Sequence, residues 1–144
     1  MPLQTSLASK HNNRGIRLQG RMISKFSQKM RLKHRRSFAK AFAGRCRLSD
    51  DRITIFLVRN GLDTTRLGLA VGRVAGNSVR RNRLKRLLRE AFRKLRLGVE
   101  QPGYDLVCIP RPGRRFTLPE LEGSMRALFA RGVHKLEAQR SRQS

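Results

Sequence analysis

Residues 76–98 read GNSVRRNRLKRLLREAFRKLRLG, and this stretch decides the fold of the chain. Its apolar side chains recur at the i, i+3, i+4, i+7 spacing that lines one side of an α-helix. They are Leu84, Leu87, Leu88, Ala91, Phe92 and Leu95. Asn77 or Ser78 can cap the start, and Gly98 stands where helices commonly end. The pattern predicts a single amphipathic helix that is basic over the rest of its surface.

Arginines crowd the start of this helix, where unpaired N–H groups already carry positive partial charge. Arg80, Arg81 and Arg83 stand there, and cations at this end are unfavourable unless an anion lies nearby. A solvated basic face is the simpler interpretation of one charged helix. Glu90, however, is the only acid beside nine Lys and Arg in residues 79–96, so pairing within the helix cannot neutralise the charge. The excess favours phosphate binding.

The whole chain is strongly basic. It contains 34 Lys and Arg against 9 Asp and Glu in 144 residues, a formal charge of +25 at pH 7. Self-repulsion on this scale is costly unless a partner neutralises it, and nucleic acid is the commonest such partner. No apolar run approaches the roughly 18 to 20 residues that span a bilayer. We therefore expect a soluble polyanion binder with no membrane partner.

Catalytic and metal-binding residue types are scattered. A ribonuclease built on His34 and His134 is a minor alternative by acid–base chemistry. The aspartates fall in turns or at a strand edge, without the convergent carboxylates of a two-metal nuclease. Cys46 and Cys108 have no CxxC or His partner, so neither a zinc site nor a disulfide framework is indicated. We predict no catalytic residue and no metal ligand, and a reducing cytoplasm as the compartment.

Upstream of the central helix, the chain predicts a short helix followed by strands. Residues 37–44 place Phe38 and Phe42 one helical turn apart. Residues 53–58 alternate as a strand with both faces at least partly covered, and residues 67–72 form the next strand. Small residues at 68, 70 and 72 leave one face of that strand open to close approach by a helix or another backbone.

Downstream, residues 104–109 predict a further strand, and a basic loop follows at 111–115. Thr117 and Glu120 have the spacing of a capping box before the last helix. The resulting order of helix, strands, helix, strand and helix indicates one small α+β domain.

The two ends of the chain differ from this domain in composition. Residues 1–29 contain six Lys and Arg, no acid and little apolar periodicity, which predicts a flexible basic arm. An organelle transit peptide is the alternative for this segment. We place the domain at residues 30–136 and a disordered tail at residues 137–144.

The central stretch is similar to a known family. Residues 76–90, with Arg81-Asn82-Arg83 at their core, resemble the signature of the protein component of bacterial ribonuclease P. Further matching features follow in the family's order and spacing. They are Arg31-Leu32-Lys33 with Phe38 and Phe42, the strand carrying Phe56, Arg66-Leu67-Gly68, and the segment from Asp105 to Arg111. The resemblance covers about residues 30–132.

Two features depart from the family pattern. Gly72-Arg73-Val74 stands where the family usually has Ser-Lys-Lys, so one of two expected cations is missing. The basic extension before Met30 is also longer than the family needs.

The resemblance implies an α+β sheet with a central helix in an unusual left-handed strand–helix–strand crossover, a fold shared with a ribosomal-protein domain. The order of elements alone does not give that hand, and crossovers in general are right-handed.

The resemblance also implies a role for the chain. It implies a subunit of the ribonucleoprotein that cuts the 5′ leader from precursor tRNA, with the RNA as the catalyst and Mg²⁺ bound mainly by that RNA and the substrate. Eight residues would bind the RNA subunit: Arg73, Arg80, Arg81, Asn82, Arg83, Lys85, Arg86 and Arg89. The leader would pass Phe38, Phe42 and Phe56, because aromatic faces stack unpaired bases of any sequence. Core packing is the alternative role of Phe56.

A structural RNA-binding protein, such as a ribosomal protein, is the competing function, since it would show similar charge and size. A helix-turn-helix DNA-binding protein fits less well, because the basic helix is flanked by strands and lacks a short preceding helix.

Overall fold

The computed structural model describes residues 17–18, 21–22, 30–97 and 103–143. The helices in this part are α1 (Arg35–Ala43), α2 (Ser78–Leu97) and α3 (Leu118–Gln143). The strands are β1 (Arg17–Leu18), β2 (Arg21–Met22), β3 (Arg47–Ser49), β4 (Ile53–Arg59), β5 (Arg66–Leu69) and β6 (Tyr104–Pro110). The order from α1 onward confirms the predicted α+β domain.

Four strands form a mixed sheet in the order β3, β4, β6, β5. β4 pairs antiparallel with β3 and with β6, whereas β5 pairs parallel with β6. Parallel neighbours need a crossover connection, and α2 provides it because it lies between β5 and β6 in the chain. The strand–helix–strand unit is therefore present as expected, and its left-handed sense stays a prediction.

An ion pair fixes the start of the parallel pair. Asp105 is 4% exposed and accepts hydrogen bonds from Nε and a terminal nitrogen of Arg66, at 2.9 and 2.8 Å. Asn60 Nδ2 donates to the same carboxylate at 2.9 Å. The hydrogen bond to Asp105 raises the pKa of the Arg66 guanidinium. This bidentate geometry holds Arg66 opposite Asp105, which is their position in the strand register.

The main core lies between one face of the sheet and the helices α2 and α3. Alternation along β4 turns Ile53, Ile55 and Leu57 toward this side, where they join Phe92 of α2 and Met125 of α3 in one buried cluster. All five are at most 1% exposed. Burying such a side chain contributes about 1.5 to 3 kcal/mol of stability, so this layer holds α2 against the sheet.

The opposite face of the sheet carries α1. Phe56 and Val58 of β4 lie here with Val107 of β6, in a second cluster completed by α1. Gly68 of β5 is needed for this contact, because a Cβ there would lie 2.8 Å from Cζ of Phe38. The predicted close approach by a helix is therefore found at Gly68, whereas Gly72 lies beyond β5 and a Cβ there would meet nothing within 4 Å.

Capping hydrogen bonds from nearby residues stabilise the starts of α2 and α3. Asn77 Oδ1 accepts a hydrogen bond from the backbone N–H of Arg80 at 3.0 Å, which caps α2. At α3, Glu120 Oε1 accepts from the N–H of Thr117 at 2.9 Å, while Thr117 Oγ1 accepts from the N–H of Glu120 at 3.4 Å. The predicted capping box is confirmed.

The predicted disordered tail is wrong for residues 137–143, which continue α3 to Gln143. Glu137 explains the difference, because its carboxylate accepts hydrogen bonds from Arg59 of β4 and from the hydroxyl of Tyr104 in β6, the latter at 3.0 Å. These partners lie 78 and 33 residues away, so the helical pattern near residue 137 gives no sign of them.

Other differences are small. β5 ends at Leu69 rather than residue 72, and a 3₁₀ turn at Arg73–Ala75 then leads into α2. In the predicted N-terminal arm, β1 and β2 pair antiparallel, and the remaining residues before Met30 lie outside the described part. Among the described residues no helix is long and apolar enough to cross a membrane.

Candidate nucleic-acid interface

A glycine with a positive φ angle precedes the arginines at the start of α2. Gly76 adopts φ +129°, a conformation that L side chains rarely adopt, and a Cβ there would lie 3.1 Å from Cδ of Arg80. The glycine thus lets the Arg80 side chain lie against the backbone before the helix. Arg80 itself is exposed, at the end where the helix attracts anions.

Two cations in the C-terminal half of α2 are paired with acids. Glu90 accepts a hydrogen bond from Arg93 Nε at 3.1 Å, one turn further along the helix. Lys94 Nζ lies 3.2 Å from Glu122 of α3. The hydrogen bond from Arg93 lowers the pKa of Glu90, and burial opposes this effect. Arg93 and Lys94 are therefore partners of acids within the protein.

The N-terminal half of α2 carries cations that no acid of the described residues pairs with. We call it, with the adjoining Arg73 and with Arg89 at the start of the second half, the basic surface. Its members are the eight residues predicted to bind RNA: Arg73, Arg80, Arg81, Asn82, Arg83, Lys85, Arg86 and Arg89. The Nε of Arg81 is shielded from solvent and has no hydrogen-bond partner among the described residues. Acids of the described residues therefore leave this surface unneutralised.

Arg31 adds a cation that the list of predicted RNA-binding residues omits. It precedes α1 and forms a parallel bridge with Leu67 of β5. Burial lowers the pKa of the Arg89 guanidinium, and the positive charges of Arg31 and Arg86 lower it further. Such crowding of like charge is relieved by an anion. The match of Arg31-Leu32-Lys33 to the family pattern is the sequence feature that could have identified Arg31 as a further RNA-binding candidate.

Arg73 lies in the 3₁₀ turn directly before α2 and is exposed. The neighbouring Val74, which stands where the family pattern has a cation, is 77% exposed. The departure from the pattern thus places an apolar side chain in solvent beside the basic surface.

Three phenylalanines form an aromatic patch between α1 and the sheet, as predicted: Phe38, Phe42 and Phe56. The Phe42 and Phe56 rings meet edge to face with centroids 4.9 Å apart, and Phe38 lies 6.5 Å from Phe42. Phe42 is 43% exposed, whereas the other two are half-buried. The guanidinium carbon of Arg47 lies 6.0 Å from the Phe56 centroid. Phe56 therefore has both a packed side and an accessible side.

The basic surface and the aromatic patch belong to different layers of the fold. α2 packs in the main core, and α1 packs with Phe56 on the other face of the sheet. The structure brings together the arginines in one set and the phenylalanines in another.

The alternative pair of catalytic histidines is not brought together. His34 precedes α1 and His134 lies on α3, and these helices pack on opposite faces of the sheet. Burial raises the pKa of the Cys108 thiol to about 12, which keeps it protonated in the core. Within residues 30–97 and 103–143, no group of three His, Cys, Asp or Glu could hold a metal ion. The described residues therefore do not fit a Mg²⁺ site.

A family model described as Ribonuclease P matches residues 26–132, which include every predicted site residue. The chain belongs to the ribonuclease P protein family. The ribonuclease P protein component of Thermotoga petrophila is 42% identical over 90 residues, a match that covers 62% of this chain and 76% of the relative. That of Shouchella clausii is 35% identical over 100 residues, covering 68% and 81%.

Solved ribonuclease P proteins share the fold. The protein from Thermotoga maritima superposes with a TM-score of 0.63 at 33% identity, covering 70% of this chain and 96% of the other. The Staphylococcus aureus protein gives 0.61 at 25% identity, covering 70% and 93%. Family membership indicates a role in ribonuclease P and hence in tRNA processing.

Proposed function

We propose that this protein is the RNA-binding subunit of a ribonuclease P ribonucleoprotein, which removes the 5′ leader from precursor tRNA. The basic surface would bind phosphates of the RNA subunit, and the aromatic patch would bind the single-stranded leader. We assign the complex to the cytoplasm.

The division of α2 carries this proposal. Both halves of the helix are rich in cations, but only Arg93 and Lys94 in the second half have acidic partners among the described residues. Cations of the first half, at positions where phosphates bind helix starts, are left for an external polyanion.

Leader binding rests on the accessibility of the aromatic patch. Phe42 is one of few large apolar side chains in the described residues that remain exposed, and it borders Phe56. Stacking of one base on an aromatic ring contributes about 1 to 3 kcal/mol and tolerates any sequence. A processing subunit must accept many different leaders, and this interaction allows it.

Catalysis is assigned to the RNA subunit, with Mg²⁺ bound mainly by that RNA and by the substrate. The protein would position the RNA and the leader and would supply no catalytic residue. A structural RNA-binding protein of the ribosome remains the competing function, and the match to the ribonuclease P family argues against it.

The test is reconstitution. We expect the purified protein to restore 5′-leader cleavage to a ribonuclease P RNA at low Mg²⁺, and to cut nothing specifically without that RNA. A basic ribosomal protein serves as the control and should not restore cleavage. Failure to stimulate the RNA would contradict the proposal. RNA-free protein that cuts at the mature 5′ end, and loses this activity with His34→Ala or His134→Ala, would contradict the assignment of catalysis.

A further inference from the structure

A pocket lies beside the start of α2, between this helix and the loop that precedes α3. Arg80 and Arg83 line it from the helix, and Arg114 and Arg115 line it from the loop. Leu84 and Phe116 contribute to an apolar lining between them. The pocket thus combines four arginines with apolar residues, and no acid is among its lining residues.

Contacts within the protein fix the side chain of Arg114 in the loop that precedes α3. The guanidinium carbon of Arg114 lies 5.5 Å from the centroid of the Phe116 ring. Its terminal nitrogen donates to the backbone oxygen and to Oδ2 of Asp51, both at 3.2 Å. A planar guanidinium fixed in this way can stack on a nucleobase, as arginines do in RNA complexes.

The other three arginines are exposed and have no acidic partner in the described part of the chain. Arg115 stands next to Arg114 in the loop but forms no ion pair there. Arginine forks suit phosphate oxygens, which accept two parallel hydrogen bonds from one guanidinium. The residue types therefore match the two parts of a nucleotide, a charged phosphate and a flat, largely apolar base.

We propose that this pocket binds one unpaired nucleotide of the RNA subunit. Arg80, Arg83 and Arg115 hold its phosphate, and its base lies against the Arg114 guanidinium and the apolar lining. The loop before α3 thereby becomes a second RNA-binding element that clamps the RNA against the start of α2. This inference rests on the proposed function, because the RNA subunit is the ligand.

The experiment measures binding of the full-length protein to a ribonuclease P RNA, with hydroxyl-radical footprinting of the RNA. Arg115→Ala removes an exposed side chain without breaking an ion pair of the described residues, and Arg115→Lys keeps the charge but loses the fork. Arg126→Ala, an exposed arginine of α3, is the matched control. A thermal melt of each variant checks folding.

We expect Arg115→Ala to weaken binding about tenfold, the order of one charge-assisted hydrogen bond, and to remove protection from one short RNA segment. Arg115→Lys should recover part of the affinity, and Arg126→Ala should change it less than about twofold. Arg83→Ala combined with Arg115→Ala should weaken binding by clearly less than the product of the single effects, because both contact one nucleotide.

Arg115→Ala that matches Arg126→Ala in affinity and footprint would overturn the pocket while leaving the proposed function standing. Fully additive effects of Arg83→Ala and Arg115→Ala would overturn it as well, as would a loss confined to precursor tRNA. Wild-type protein that neither binds nor stimulates the RNA would overturn both proposals together.

Discussion

The basic surface and the aromatic patch obtain their geometry in different ways. On α2 the spacing of the arginines follows from one helix, with Asn77 as its cap and Gly76 before it. The aromatic patch joins α1 to β4, and Phe38 depends on Gly68 of β5 for its place. Local helical geometry sets the first surface, and tertiary packing sets the second.

This difference predicts how the binding function of each surface should respond to mutation. RNA affinity that comes from charge on a helix surface should fall in proportion to the number of cations removed, and salt weakens it. A packed aromatic cluster instead responds to changes of a few tenths of an ångström in its neighbours. Mutations can therefore separate the two surfaces, and the following experiments do so in order of expected effect.

The largest effect is expected from Arg81→Ala, Arg83→Ala and Arg86→Ala combined. Affinity for the RNA subunit should fall by about 100-fold or more, because up to three phosphate contacts are lost, and the log–log salt slope should shrink by roughly 0.7 to 0.9 per contact. The preference for precursor over mature tRNA should stay unchanged. Equilibrium binding across a salt series measures both quantities.

Arg126→Ala combined with Arg131→Ala, both on α3, removes two charges away from the basic surface and serves as the control for lost net charge. A salt slope that stays the same in the triple variant would refute phosphate binding by α2.

Phe56→Ala should reduce the preference for precursor tRNA over leaderless tRNA by about 1 to 3 kcal/mol while leaving RNA-subunit binding nearly intact. Val58→Ala, on the same strand and face, controls for lost bulk without a lost ring. If Phe56 serves only the core, the variant should instead lose about 3 to 5 kcal/mol of stability with an unchanged preference. Thermal melts beside the two affinities decide between these roles.

Gly68→Ala should disturb the aromatic patch indirectly. The new Cβ would lie 2.8 Å from the Phe38 ring and 3.0 Å from Leu32, so we expect a loss of about 1 to 3 kcal/mol of stability and a smaller loss of leader preference than with Phe56→Ala. Gly123→Ala is the control, because a Cβ there meets nothing within 4 Å. Full stability in Gly68→Ala would show that Phe38 is not held as described.

The smallest effect is expected from Glu90→Gln, which breaks the pairing in the second half of α2. The pKa of Glu90 is lowered in the folded state by its hydrogen bond with Arg93, so its contribution to stability is present above its unfolded pKa of about 4.3 and is lost as pH falls further. The variant should be less stable than wild type at pH 6, by no more than several tenths of a kcal/mol after solvent screening, and equal to it near pH 3.

RNA-subunit affinity should not fall in Glu90→Gln, because a negative charge beside the basic surface is removed. Thermal melts at the two pH values and one binding curve suffice, and a loss of affinity would contradict the division of α2 into two halves.

Much of the fold could be predicted because its signals are local. The stripe from Leu84 to Leu95 predicts α2, and the pair Thr117 and Glu120 predicts the start of α3. Of the two predicted caps of α2, Asn77 and Ser78, the structure shows Asn77. The resemblance to the family then supplied the members of the basic surface, whose spacing the helix preserves.

What the sequence could not show depends on partners far away in the chain. Glu137 extends α3 through contacts to Arg59 and Tyr104, and the Arg114 loop meets α2 more than 20 residues from it in sequence. The pairing of β5 with β6 rather than with β4 is likewise a tertiary choice. Sequence periodicity carries no information about such contacts. The helical state of residues 137–143 and the pocket beside α2 could therefore be seen only in the structure.

The parallel pairing of β5 with β6 affects when α2 can gain its packing partners during synthesis of the protein. Arg66 must wait for Asp105, 39 residues later, before this edge of the sheet can close. Until then α2 lacks the completed sheet, and a helix with nine cations gains little stability alone, since helical stability comes mostly from tertiary packing. We therefore expect α2 to become rigid only after β6, and α3 which also packs in the same core, have left the ribosome. In a shorter nascent chain we expect the positive charge of α2 to lack its fixed spacing, so that it attracts RNA of any sequence without selecting one.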